Sequence, residues 1–225
     1  MDNHSVQAER RARVAQALQR QGGGVAVLPT ATLAPRNADN DHPFRHDSAF
    51  YYLSGFNEPQ SWLVIDASGH TTLFLRERDA EREIWDGIRL GPGRAPQVLG
   101  VDEAFPVSEL DARMPQLLAG RAAVWFPFGG YPGLAAQVGG WLDAVRARAR
   151  AGVEAPQQQR DLGALLDEMR LFKDSHEIAL MRRAGEIGAA GHVRAMRAAR
   201  DGAREYEIEA ELLYEFRRRG ASGPA

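Results

Sequence analysis

The residues best suited to hold a metal ion lie between positions 39 and 47. His42 and His46 are four residues apart and stand among three aspartates. On a helix, two histidines at this spacing share one face and can bind one ion. Pro43, however, biases His42 away from helical geometry, and in an extended segment the two imidazoles stand well apart. We therefore interpret this segment as a polar loop whose histidines make local hydrogen bonds.

Other patterns that carry chemistry are absent from the sequence. It has no cysteine and no Gly-x-Ser-x-Gly elbow, so the usual settings of a nucleophile are missing. The glycine-rich stretch at 22–24 precedes a strand instead of following one, and the stretch at 91–93 has no Lys-Ser/Thr partner, so neither predicts a phosphate-binding loop. Arg146, Arg148 and Arg150 resemble an anion patch, but the solvated end of a helix explains them more simply. The residues themselves therefore predict neither a catalytic group nor a metal ligand.

Strands and helices alternate along the chain up to about residue 150. Helices are predicted at 5–21, 108–118 and 134–150, and strands at 25–28, 49–53, 62–65, 71–75 and 122–126. Turn residues between the strands at 62–65 and 71–75 predict a hairpin. A polar loop is predicted over 31–41. This alternation indicates an α/β layer architecture.

The character of the chain changes after Pro156. Asp174 and Glu177 are spaced as the capping box of a long helix, which carries a stripe of apolar and small residues. A second amphipathic helix is predicted at 205–219. Burying such faces is worth about 25 cal/mol per Å². Either another chain covers them or a further layer is missing from this sequence, and we favour the missing layer.

Composition excludes several classes of protein. The 225 residues carry a net charge of -2, which gives no electrostatic footprint for nucleic acid. The absence of cysteine excludes disulfides and cysteine-ligated metals. No apolar run approaches the roughly 20 residues that cross a bilayer, and the amino terminus does not resemble a secretory signal. We therefore expect a cytoplasmic protein that binds neither nucleic acid nor membrane.

Four separated blocks of the sequence resemble the aminopeptidase P family, whose members are Xaa-Pro aminopeptidases. The blocks are residues 36–59 (RNADNDHPFRHDSAFYYLSGFNEP), Glu83-Ile84-Trp85 with Gly87, residues 168–173 (EMRLFK) and residues 177–187 (EIALMRRAGEI). They follow the family order over essentially the whole chain. The resemblance implies a mixed sheet with flanking helices in an N-terminal creatinase/aminopeptidase-P-like domain at 1–160. Residues 161–225 would then be a linker helix and the opening helices of an incomplete pita-bread (α+β) domain.

The same resemblance implies the chemistry. Enzymes of this family hydrolyse the peptide bond before a penultimate proline with two divalent metals, usually manganese. Their metal ligands, two Asp, one His and two Glu, belong to the part of the pita-bread domain beyond this sequence. We therefore expect the chain to bind no manganese and to be inactive alone. The expected substrates are peptides with proline at the second position.

The family pattern also assigns three substrate-binding residues to this chain. Trp85 matches a tryptophan of the N-terminal domain that reaches the active site of a neighbouring subunit. The resemblance therefore implies a homo-oligomer assembled through this domain, and we expect a homotetramer. Asp39 resembles a residue that reaches toward the same cleft, and Arg150 matches another in looser surroundings. The residues leave other interpretations open. Trp85 is also consistent with a core or interface aromatic and Asp39 with a turn cap, and a helix-end cation explains Arg150 more simply.

Two other functions compete with this one. The same scaffold without metal ligands could serve as a non-catalytic module that binds peptides or partner proteins. Prolidase and creatinase share the two-domain layout and offer a third interpretation. The segment at 42–45 and the segment at 169–173 favour aminopeptidase P over these two hydrolases.

Overall fold

The computed structural model describes residues 3–223. The chain forms two compact units, Met1–Met169 and Arg170–Ala225. The division into domains 1–160 and 161–225 stays a prediction. Among the described residues, no helix combines the length and the apolar character that crossing a bilayer requires.

The first unit consists of a six-stranded sheet, a small two-stranded sheet and helices. Its strands are β1 (Val25–Pro29), β2 (Pro35–Asn37), β3 (Asn40–Asp41), β4 (Trp62–Asp66), β5 (Thr71–Leu75), β6 (Glu103–Pro106), β7 (Ala123–Phe126) and β8 (Gln158–Asp161). Its α-helices are α1 (Asn3–Arg20), α2 (Ser48–Ser54), α3 (Glu83–Asp86), α4 (Ala95–Leu99), α5 (Leu110–Leu118), α6 (Leu134–Arg146) and α7 (Leu162–Leu171), the last of which extends two residues into the second unit. Short 3-10 helices occupy Val107–Glu109 and Ala149–Ala151.

The large sheet is mixed, as the family resemblance implies. Its strand order is β6-β5-β4-β1-β7-β8. Strand β4 is antiparallel to β1 and β5, whereas the β1–β7, β7–β8 and β5–β6 pairs are parallel. All strands but β4 therefore end at the same edge of this sheet, which we call the carboxyl edge.

Helices cover both faces of the sheet. Successive side chains of a strand point to opposite faces, and in β1 Ala26 and Leu28 face one side while Val25 and Val27 face the other. The first face packs against α1, α2, α4 and α7, and the second packs against α5 and α6. This three-layer arrangement confirms the predicted α/β class and explains why β1 and β5 are buried along their full length.

Two local predictions are wrong. The aromatic segment at 49–53, predicted as a strand, is the helix α2, because local capping overrides the strand preference of its aromatic residues. The Asp47 side chain accepts a hydrogen bond from the Phe50 amide at 2.7 Å, and Gly55 ends the helix in a left-handed conformation. The predicted loop at 31–41 contains the short β2–β3 hairpin.

The second unit is built around two helices, α8 (Ser175–Ala198) and α9 (Glu205–Arg218). The predicted capping box is present, since the Asp174 carboxylate accepts from the Glu177 amide and Glu177 accepts from the Asp174 amide. The small residues of α8 allow a close approach at one point. A Cβ atom on Gly191 would lie 2.5 Å from Cε1 of Phe216. Much of the apolar surface of the pair stays exposed, as predicted; the exposed large side chains are Ile178, Leu180, Met181, Val193, Met196, Tyr206, Leu213 and Tyr214.

Candidate functional site

Asp39 lies in the connection between β1 and α2, which leaves the carboxyl edge. It occupies the turn between β2 and β3, and it is exposed. In the described part of the chain its carboxylate makes no hydrogen bond or ion pair, so it does not cap the turn. Its carboxylate is therefore available to a partner or a ligand.

Trp85 lies in the connection between β5 and α4, which leaves the same edge. It belongs to the short helix α3, and 87% of its surface is exposed. Ile84 and Ile88 beside it are 78% and 79% exposed. The interpretation of Trp85 as a core residue of this chain is therefore wrong. Three large apolar side chains on one short loop are typical of a surface that contacts another molecule.

An ion pair fixes the shape of this loop. Glu83 accepts two hydrogen bonds from Arg78, at 3.0 and 2.7 Å, and a third from the Arg89 amide at 3.3 Å. The Glu83 side chain is only 8% exposed. The hydrogen bonds from Arg78 are the main cause that lowers the pKa of Glu83 to about 2. We call Arg78 and Glu83 the loop clamp.

The two ends of the loop are tied to Glu58. Its carboxylate accepts from the Leu90 amide at 2.8 Å and lies 3.7 Å from the Arg76 guanidinium. Burial, together with the neighbouring charge of Arg89, lowers the pKa of Arg76. The Arg89 guanidinium in turn bonds Asp86 at 3.2 Å. The loop is thus held at its base as well as at its centre.

The loops that carry Asp39 and Trp85 are neighbours. Both contribute to one cavity of about 640 Å³ at the carboxyl edge: Leu33 enters it from the β1–α2 connection, and Arg82 and Asp86 enter it from the β5–α4 connection. The structure therefore brings the segments of these two predicted site residues together.

Arg150 lies elsewhere in the first unit. It belongs to the 3-10 helix Ala149–Ala151, which follows α6. Helix α6 starts after β7 at the carboxyl edge and runs back for 13 residues, or about 20 Å. Arg150 is therefore at the opposite edge of the sheet, exposed, and the first unit does not bring it together with Asp39 and Trp85.

The segment considered first as a metal site makes local contacts instead. His46 Nδ1 lies 2.7 Å from Oδ1 of Asn57, and its ring stacks on Tyr51 at 4.1 Å. Residues 3–223 contain no group of three His, Cys, Asp or Glu side chains that could hold a metal ion.

Sequence reasoning missed the loop clamp and the roles of Arg76 and Arg89 at the base of the loop. A signal was available, since charged residues of both signs follow one another at 76–79 directly after the fully buried strand β5. Such an abrupt change indicates a loop organised by ion pairs. Which charges pair depends on the path of the loop.

The first unit is an α/β domain with helices on both faces of a mixed sheet, and a separate helical unit follows it in the chain. Residues 7–125 match the N-terminal domain of aminopeptidase P, and residues 179–225 match metallopeptidase family M24. The first match covers more than half of the chain. The chain therefore belongs to the aminopeptidase P family of metallopeptidases, as the four sequence blocks indicated.

Individual relatives agree with this assignment. The Xaa-Pro aminopeptidase of Escherichia coli K12 is 42% identical over 229 residues, which cover 100% of this chain and 52% of that protein. A substrate complex of an E. coli aminopeptidase P variant matches with a TM-score of 0.90 at 40% identity, over 96% of this chain and 50% of that one. Pseudomonas aeruginosa aminopeptidase PepP gives 0.89 at 40% identity, with the same coverage. The chain spans about half the length of the relatives it matches.

Proposed function

We propose that this chain supplies the amino-terminal half of a cytoplasmic Xaa-Pro aminopeptidase. Such an enzyme removes the first residue from peptides that carry proline at the second position. The observation that carries the proposal is the match along nearly the whole chain, in sequence and in fold, to enzymes of this name. The exposed apolar side chains of α8 and α9 support it, because a catalytic-domain sheet would cover them.

The metals of the reaction belong to the other half in this proposal. Two divalent ions, manganese by family resemblance, would activate water and polarise the scissile carbonyl there. The described residues offer no group of ligands for them. The 225-residue chain alone is therefore proposed to be inactive.

The chain's own part in the reaction would be to contact substrate that is bound in the active site of a neighbouring subunit. Trp85 is almost fully exposed on a clamped loop, so it is presented in one position before any partner binds. Asp39 lies on the neighbouring loop with its carboxylate unpaired. Arg150 lies at the other edge of the sheet. A short peptide cannot span both edges of one domain, so contact with all three residues requires a homo-oligomer, which we propose to be a tetramer.

The proposal is tested by comparing two proteins in one assay. The 225-residue chain, with Mn²⁺ and an Xaa-Pro-Yaa tripeptide, should show no turnover. A protein that continues through the downstream reading frame should release the first residue. Turnover by the short chain contradicts its inactivity. A longer protein that cleaves only Xaa-Pro dipeptides would be a prolidase, and one that binds peptides without cleaving them would be a binding module.

Within the longer protein, Trp85→Ala should lower kcat/KM for the tripeptide, and Ile84→Ala serves as the matched control. Both side chains are exposed on the same loop, so truncating either one should change the stability of the protein by a similar amount. A difference in kcat/KM then reports on the indole ring itself. An equal effect of the two changes would contradict a specific role for the indole ring.

A further inference from the structure

A second cavity lies at the carboxyl edge, between β1 and β7. These strands are parallel neighbours. After β1 the chain passes into α2 on one face of the sheet, and after β7 it passes into α6 on the other face. Such a reversal leaves a crevice outside the strand ends, where α/β proteins bind ligands. The cavity here measures about 660 Å³, and residues that follow each strand line it, among them Thr30 and Tyr131.

Asp111 places a negative charge in this cavity. One of its carboxylate oxygens accepts hydrogen bonds from Trp141 Nε1 at 2.7 Å and from Gln137 Nε2 at 3.1 Å. These bonds fix the orientation of the carboxylate, because Trp141 is a core residue of α6. Among the described residues no Arg, Lys or His lies within ion-pair distance of Asp111. The carboxylate therefore keeps a second oxygen for a ligand.

Arg45 places a positive charge in the same cavity. Its guanidinium donates to the His46 carbonyl at 3.0 Å and to the Ser48 hydroxyl at 3.5 Å. Both acceptors are neutral, and no carboxylate of residues 3–223 pairs with it. An arginine fork can bind a carboxylate through two parallel hydrogen bonds. Arg45 and Asp111 do not pair with each other, so one cavity holds two opposite charges that lack counter-ions.

The other polar groups of the cavity are already engaged or neutral. Asp47 uses its carboxylate to cap α2, and His46 lies 2.7 Å from the amide oxygen of Asn57. Gln60 and Gln137 add neutral amides. Trp62 supplies an apolar wall; its ring packs edge-on against the Trp141 ring with centroids 5.6 Å apart.

We propose that this cavity binds a small zwitterion, either a free α-amino acid or a dipeptide. Its ammonium group would bind Asp111, its carboxylate would bind Arg45, and its side chain would pack against Trp62. A volume near 660 Å³ lies within the range of small-molecule sites. This site is distinct from the exposed loop of Trp85, and it does not depend on the proposed peptidase activity.

Binding is tested by calorimetry on the 225-residue chain with phenylalanine and with the dipeptide Ala-Phe. We expect saturable binding of at least one of them. N-acetylation of the ligand removes its ammonium charge, and amidation removes its carboxylate. Each change should weaken binding about tenfold or more, since each removes a hydrogen bond between charged groups. An absence of saturable binding would overturn the proposal, and so would an acetylated or amidated form that binds as tightly as the unmodified ligand.

Variants of the protein test the same charges. Asp111→Asn keeps an oxygen for Trp141 and Gln137, and both it and Arg45→Gln should weaken binding about tenfold. The control variants are Asp143→Asn and Arg146→Gln. They remove the same charges from an exposed ion pair on α6, outside the cavity, and should leave binding unchanged. If the control pair weakens binding as much as the cavity pair, the effect is one of net charge and the site is refuted.

Discussion

Single carboxylates determine the shape of two connections in the first unit. Glu83 organises the loop that presents Trp85, and Asp66 organises the turn of the β4–β5 hairpin. Both accept several hydrogen bonds, and both have a pKa below the usual value. Loss of either side chain should therefore disturb the conformation of its connection more than the loss of an ordinary surface charge would.

Glu83→Gln should loosen the loop that carries Trp85 at neutral pH. A neutral amide cannot accept both hydrogen bonds of the Arg78 fork. Hydrogen exchange at the Arg89 amide should therefore become faster, and the extent to which iodide quenches the fluorescence of Trp85 should change. The folded-state pKa of Glu83, about 2, lies below the usual glutamate value of 4.5. The clamp should therefore be fully formed above pH 4.5 and be lost as pH falls toward 2.

The control for this variant is Glu81→Gln, which removes an exposed carboxylate two residues away. It should leave both signals unchanged. If hydrogen exchange across the loop is the same in the two variants, the clamp does not position Trp85.

Asp66→Ala should lower the free energy of unfolding by roughly 1–3 kcal/mol. Burial opposes ionisation of Asp66, but hydrogen bonds from Ser68 and His70 and the charge of Arg121 outweigh it and keep its pKa below the ordinary 3.8. Its contribution is therefore present above that pH and is lost as pH falls further. Urea unfolding at pH 7 and pH 3 measures both effects, and Asp66→Asn, which retains one acceptor oxygen, should lose less than Asp66→Ala.

The regular elements were predictable where periodicity and turn chemistry agree. The β4–β5 hairpin, the strand β1 and the capping box of α8 were all predicted from such signals. Helix α2 was not, because its aromatic composition favours a strand, whereas Asp47 and Gly55 fix a helix between them. Strands β6 and β8 were missed because they are short, and β8 is wholly polar, so their neighbours in the sheet define them.

Helices α8 and α9 offer a matched pair of glycine substitutions. Gly191→Ala should destabilise the second unit by about 1–3 kcal/mol, since the added methyl group would overlap Phe216. Gly188→Ala lies one turn away and meets nothing within 4 Å, so it should stabilise α8 by about 0.5–1 kcal/mol. The unfolding temperatures of the two variants test this prediction. A shift of the same sign in both would contradict the close contact between Gly191 and Phe216.

For the molecule as a whole, the surface of α8 and α9 leads to a prediction about association. Exposed apolar side chains tend to pair with one another in water, so the 225-residue chain should self-associate as its concentration rises. Replacing either Met181 or Met196 with lysine should reduce association in sedimentation experiments. Gln116→Lys, which adds the same charge to an exposed position on α5, should reduce it much less. Equal effects would indicate general charge repulsion.

The candidate sites were less predictable than the fold. Trp85, Asp39 and Arg150 were named through family resemblance, and no periodicity or spacing singles them out. Their placement on two edges of the sheet depends on strand order, which brings β1 beside β7 although about 100 residues separate them. The cavity of Arg45 and Asp111 depends on the same order, because its walls come from distant parts of the sequence.

That strand order also bears on how the chain folds during synthesis. Strands β1, β4 and β5 form consecutive antiparallel pairs, so they can associate once about 75 residues have left the ribosome. Strand β1 must then keep its other side unpaired until β7 emerges. Long-range parallel pairing is slow, and open strand edges promote aggregation. The nascent first unit should therefore need chaperone protection most in the interval between the two pairings.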